Sequence, residues 1–212
     1  TVVNLNAGSG NDTINVSSDG GRGLGTLDDI RGALNVDAGA GSGNRLFVSD
    51  AGSSHVDTVT VTGGTITVAN SALTTPATIS YTATLGSFGR DVAVLTGSGA
   101  DIIGIQSIRA LDLTYVHSGS GDDTVTVAST AKGNAYVTNG GQLEIDVAAG
   151  NDTVDATAVT QLDIVMVGRQ GDDTLLGGAG ADVMYGDDAL VTRNSQRALV
   201  QVQSIYPSLG GR

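Results

Sequence analysis

Short runs in which every second residue is aliphatic or otherwise apolar recur along the chain. They are VDTVTV at 56–61, TITVA at 65–69, TISYTA at 78–83, DVAVL at 91–95, LDLTYV at 111–116, QLEIDV at 142–147 and LDIVMV at 162–167. Period-two alternation sends one set of side chains to a buried face and the other outward, which predicts β-strands. Strands this short cannot bury that face alone and need neighbours stacked on them. Two prolines, Pro76 and Pro207, interrupt the pattern, as suits strands that donate ladder hydrogen bonds. Segments 17–34 and 70–77 read as loops, the first with one short helical turn at residues 27–31.

The stretches between strands repeat. AGSGNDTINV at 7–16 matches SGSGDDTVTV at 118–127, TGSGADIIGI at 96–105 and VAAGNDTVDA at 147–156. GRQGDDTLL at 168–176 and GGAGADVMY at 177–185 follow in tandem. Each has a Gly, an Asp two residues later, and an aliphatic residue two further on. The aspartates are Asp12, Asp101, Asp123, Asp152, Asp173 and Asp182. A degraded copy at 35–48 has Asn44 or Arg45 in the Asp position and is expected to form a structural turn without a good metal site. Steps of roughly 20–30 residues suit one coil of a parallel solenoid, and the nine-residue step near the end suits half a coil. Roughly nine coils at about 4.8 Å per rung would give a rod of about 40–45 Å.

Composition agrees and narrows the chemistry. Glycine stands at 32 of 212 residues, aromatics at 3%, and cysteine is absent, so neither disulfides nor thiolate metal sites hold the loops. The acidic set is nearly all Asp, with Glu144 the single Glu, and Lys132 is the single Lys. Glu and Lys are the usual exposed residues of helices, so their scarcity argues against helical content, whereas Asp is a turn residue. A net charge of −12 disfavours nucleic acid, and no apolar run reaches the roughly 20 residues of a membrane span. The chain starts at Thr1 and reads as a segment of a longer protein.

The turns pair glycines, which tolerate positive φ, with a carboxylate beside inward-turned carbonyls. Such an oxygen-only set suits calcium, which takes six to eight oxygens in irregular geometry. On these residues the chain resembles the haemolysin-type (RTX) Gly- and Asp-rich repeat proteins, pattern G-G-x-G-x-D-x-aliphatic-x, found in large bacterial surface and adhesin-like proteins. GGAGADVMY fits throughout and GRQGDDTLL departs at Arg169. The resemblance implies Ca2+ held between turns 18 residues apart. Here that pairs Gly168, Gln170 and Asp173 with Gly186 and Asp188. Asp182, Asp152, Asp123, Asp101 and Asp12 follow as lesser metal candidates, while Asp122 and Asp172 read as solvated charges.

The expected fold is therefore an all-β, right-handed parallel β-helix or β-roll. Irregular coils of about 20–30 residues over 1–167 tighten to nonapeptide repeats near 168–188. Residues 1–191 form one solenoid domain and 192–212 a tail, cap or further repeat. The expected role is a secreted, extracellular calcium-binding structural or adhesive segment of a bacterial cell-surface or matrix protein, without enzymatic activity. Its partners would be neighbouring repeats, further copies end to end, or surface polysaccharide. The alternative is a polysaccharide-binding or -cleaving β-helix. Such a site needs gathered carboxylates, for which Asp28–Asp29 and the paired repeat aspartates are the material. His55 and His117 lack a nucleophile pattern and read as structural or surface residues.

Overall fold

The computed structural model describes residues 2–19, 24–110, 112–131 and 142–186, with Gln142 and residues 189–193 and 199–204 described by backbone alone. In chain order the strands are β1 (Val3–Asn6), β2 (Thr13–Val16), β3 (Ala33–Asp37), β4 (Arg45–Ser49), β5 (Thr58–Val61) and β6 (Thr65–Ala69). Then come β7 (Ala77–Thr82), β8 (Asp91–Leu95), β9 (Ile102–Ile105), β10 (Leu113–His117), β11 (Thr124–Val127) and β12 (Gln142–Asp146). The last are β13 (Thr153–Asp155), β14 (Ile164–Val167), β15 (Thr174–Leu176), β16 (Val183–Tyr185), β17 (Ala189–Arg193) and β18 (Leu199–Ser204). No helix occurs among the described residues. The expected helical turn at 27–31 is a β-turn, closed by the Ile30 amide on the Leu27 carbonyl at 2.8 Å.

The strands form two stacked sheets. One runs β1-β3-β7-β6-β5-β9-β11-β13-β15 and the other β16-β14-β12-β10-β8-β4-β2. Coil after coil, the chain crosses from one sheet to the other and pairs in parallel with the previous coil, as in a β-roll or β-helix. Inward residues align in columns. Ile14, Leu46, Val92, Thr114, Leu143 and Ile164 form one, and Val16, Val48, Val94, Val116, Ile145 and Met166 the next. With Val59, Ile103, Val125 and Val154 from the facing sheet they make one buried core. Short β-branched residues dominate because each rung allows only about 4.8 Å along the axis.

The stack is not uniform. β5, β6 and β7 pair antiparallel, turning through Gly63–Gly64, where the Thr62 amide bonds the Thr65 carbonyl at 2.8 Å. This meander gives the first sheet nine strands against seven in the second. The expected nine coils are thus seven rungs on the second sheet, which at about 4.8 Å per step is about 29 Å. β17 and β18 pair antiparallel in a separate two-stranded sheet.

Candidate metal centre

Turns lead out of each sheet, and the two edges of the solenoid differ. Turns 50–57, 96–101, 118–123, 147–152 and 168–173 lead from the second sheet into the first and lie on consecutive coils. They continue the β-ladder around the bend: Ser120 bridges Ala149, and Ala149 bridges Gln170. The Gly121 amide donates to the Ala149 carbonyl at 2.8 Å and the Gly150 amide to the Gln170 carbonyl at 3.0 Å. The turns at Asp101, Asp123 and Asp152, which spacing alone left as isolated turns, therefore sit directly on one another and on the turn of Asp173.

Their aspartates form one column. The Asp57 amide donates to Asp101 Oδ1 (2.7 Å), the Asp101 amide to Asp123 Oδ1 (2.7 Å), the Asp123 amide to Asp152 Oδ1 (2.7 Å), and the Asp152 amide to Asp173 Oδ1 (3.0 Å). Partners lie 44, 22, 29 and 21 residues apart. One oxygen thus serves the coil before it in Asp101, Asp123, Asp152 and Asp173, and the Asn70 side-chain amide in Asp57. The other does not: Oδ2 of Asp57, Asp101, Asp123, Asp152 and Asp173 is buried without a hydrogen-bond partner. Sequence reading missed Asp57, because its turn lacks the Gly-x-Asp spacing. A signal was present, since DTVTV at 57–61 repeats at 123–127.

Buried carboxylates stacked one per rung should resist ionisation. Burial pushes Asp57 and Asp152 up to about 7 and Asp123 up to about 6, with like charges of the column adding to the rise. Burial also raises Asp101. At an effective dielectric of about 20, two such charges a rung apart repel by about 3 kcal/mol, so a fully charged column needs a counter-ion.

The other edge is sparser. Asp12 and Asp182 lie there at opposite ends of the stack. The Asp12 amide donates to Asn44 Oδ1 at 2.8 Å, so Asn44 fills the ladder position with a neutral isostere. Asp12 Oδ2 is buried and unpartnered. Asp182 Oδ1 accepts from the Ile164 amide (3.0 Å) and its Oδ2 from the Gly178 amide (2.7 Å). Asp122 and Asp172 are exposed. Asp122 Oδ1 accepts from the Asn151 amide and Asn151 Oδ1 from the Asp172 amide, an outer ladder in solvent.

Of the tandem-repeat residues, Gly168, Asp173 and Gly186 come together. A side chain at Gly168 would run into Asp173 Oδ2 and the Gly186 carbonyl, which leaves space beside two oxygens. Gln170 turns its carbonyl to the preceding coil, and Asp188 lies outside the described residues. Arg169 keeps the left-handed conformation of the glycine it replaces (φ 67°). Its Nε donates to Asp146 Oδ1 at 2.5 Å and its Nη2 pairs with Oδ2. Asp146 also faces Tyr115 Oη (3.3 Å) and His117 Nδ1 (3.7 Å). Burial works to raise Asp146, but Arg169 and His117 hold it well below the usual carboxylate range. Both residues thus have structural partners.

The donor set fits calcium: hard oxygens only, with buried carboxylate oxygens left open. Among the described residues no three His, Asp or Glu side chains close on one point, so an ion here needs turn carbonyls beside each carboxylate.

Fold and turns together define a parallel β-solenoid with carboxylates stacked along one edge. The profile of the RTX calcium-binding nonapeptide repeat matches the chain in four copies, over residues 4–23 and 165–189. The chain carries these repeats, and Ca2+ is the ion they bind. No curated protein and no solved structure matches it.

Proposed function

We propose that this chain is a structural, non-catalytic segment of a larger secreted bacterial surface or matrix protein, in which calcium clamps stacked coils. The observation that carries this is the column of five aspartates with one unpartnered, buried oxygen each. Calcium, when bound, supplies positive charge and joins carboxylate and carbonyl oxygens of adjacent turns. The ligands we assign are Asp101, Asp123, Asp152 and Asp173 of the column, with Gly168, Gln170, Gly186 and Asp188 around the tandem repeats, and Asp182 and Asp12 on the opposite edge. The crossover rule for parallel strands supports right-handed winding. We take 1–191 as one solenoid unit and 192–212 as a cap or further repeat; the antiparallel β17–β18 pairing begins at Ala189 and runs across that boundary, which supports a change from parallel stacking a few residues earlier.

Two features suit calcium as the cross-link and continuation of the stack end to end. There are no cysteines to serve as disulfides, and metal takes over the cross-linking. At the β1 end Val2, Val3 and Leu5 are exposed beside a strand that has no outer neighbour among the described residues, the kind of edge that accepts another coil. No helix among the described residues is long and apolar enough to cross a membrane.

Thermal melts with millimolar calcium and with chelator test the proposal. Calcium should raise the melting temperature by ten degrees or so, corresponding to about 3 kcal/mol or more for a chain of this size. Asp173→Ala should weaken calcium binding more than Asp12→Ala, because Asp173 has a stacked carboxylate neighbour and Asp12 an amide. Unchanged melting, or equal titrations for the two variants, would contradict it.

A further inference from the structure

Arg169 is where GRQGDDTLL departs from the repeat pattern. The same second position of the turn is Gly97 in turn 96–101, Gly119 in turn 118–123 and Ala148 in turn 147–152. Arg169, Ala148 and Gly119 share left-handed backbone, with φ of 67°, 49° and 85°. An L side chain is strained there, so local conformation favours glycine and gives no reason for an arginine. The reason lies in what the side chain reaches.

It reaches across the stack. The guanidinium grips both oxygens of Asp146, 23 residues earlier on the preceding coil. Asp146 is 3% exposed, and a two-point ion pair out of water is both strong and fixed in direction. Asp146 ends β12 and opens the next turn, where its Oδ1 also accepts from the Ala148 amide at 3.3 Å. The clasp therefore joins the entries of turns 147–152 and 168–173, while Asp152 and Asp173 stand at their exits. Between entry and exit the Gln170 amide donates to the Ala148 carbonyl (2.9 Å) and the Gly150 amide to the Gln170 carbonyl (3.0 Å). Turns 96–101 and 118–123 stack in the same way, with the Ser120 amide on the Gly97 carbonyl at 2.9 Å. Glycine at their second position offers no clasp.

We propose that Arg169 is a positioning residue for calcium: its clasp on Asp146 holds turns 147–152 and 168–173 at ligand spacing before an ion arrives. This role rests on the reading that calcium binds the aspartate column. Arg169 does not touch the ion. Oxygens from two coils can share one calcium shell only while the turns are stacked. In the calcium-free chain the like charges of Asp152 and Asp173 push the exits of these turns apart, and the clasp at the entries opposes that. The apparent affinity of a site falls with the fraction of molecules in which it is already formed. Turns 96–101 and 118–123 have the backbone ladder alone and complete their stacking with the ion.

Hydrogen exchange of the whole chain, followed by mass spectrometry through a calcium titration, tests this. Turns 96–101 and 118–123 serve as the internal reference. In chelator the wild type should protect turns 147–152 and 168–173 above the reference pair. Arg169→Gly restores the repeat pattern and relieves the backbone strain, yet it should lose that protection. It should need about tenfold more calcium to regain it, with a wild-type plateau at saturation and no shift at the reference pair. Arg169→Lys keeps the charge without the fork and should fall between. Arg169→Gly leaves a buried carboxylate unpaired, so it is also made together with Asp146→Asn, which keeps an acceptor for the Ala148 amide. The double variant should show the same shift. Wild-type midpoints in both would overturn the positioning role while leaving calcium binding intact. An equal shift at both pairs of turns would mean general loosening and would also overturn it. Protection that calcium changes at no turn of the wild type would overturn this role together with the reading it rests on.

Discussion

Gly171→Ala is expected to destabilise the solenoid by on the order of 4 kcal/mol, about twice the loss from Gly10→Ala. Both glycines adopt left-handed backbone, with φ of 132° at Gly171 and 122° at Gly10, so both substitutions carry the same conformational strain. They differ in what a Cβ meets. At Gly171 it overlaps the carbonyl oxygen of Gly150 on the neighbouring coil, whereas at Gly10 nothing lies within 4 Å. Backbone cannot yield as a side-chain tip can, so the turns must part and lose their ladder. Denaturant unfolding of both variants in calcium reads the difference. Equal losses would mean that the turns are not stacked at the spacing described.

Stability of the calcium-free chain is expected to fall as pH rises from about 4 to about 7, and calcium is expected to reverse that slope. Unfolded aspartates titrate near 3.9. In the folded chain burial pushes Asp57 and Asp152 up to about 7 and Asp123 up to about 6, and raises Asp50 and Asp101. Between those limits the folded state holds more protons than the unfolded state, so stability decreases with pH. It is greatest below the unfolded value and lost through the folded ones. Calcium binds the deprotonated column and releases those protons, so its affinity rises with pH. Melts in chelator at pH 5 and 7.5 should favour the acidic sample by several degrees, and the order should invert at millimolar calcium. The same order in both conditions would show that protons and calcium do not compete for the column.

Strands were the most legible part of the sequence, because period-two alternation is a local signal. TITVA and DVAVL coincide with β6 and β8, and the other runs shift by one or two residues. The antiparallel meander was not legible. The alternation of β5, β6 and β7 is indifferent to the direction of pairing, and only Gly63–Gly64 hinted at a tight reversal. The Gly-x-Asp turns were visible, but their distribution between two edges was not. That depends on whether each intervening segment makes a half or a whole coil, as the 18-residue and 44-residue offsets illustrate. Asp57 escaped for a related reason: its turn is two residues longer than the repeat, so the register of the motif breaks although the stacking does not.

Asn44 already shows what a neutral residue does in the ladder: its Oδ1 accepts from the Asp12 amide as the column aspartates do from theirs. Asp123→Asn makes the same exchange in mid-column, keeping the acceptor and removing the charge. Its melting temperature at pH 7.5, with chelator and with millimolar calcium, tests most directly whether calcium holds the coils together by neutralising that column. The variant should melt above wild type in chelator, where a repelling charge is gone, and below it in calcium, where a ligand is gone. A shift of the same sign in both conditions would contradict the account.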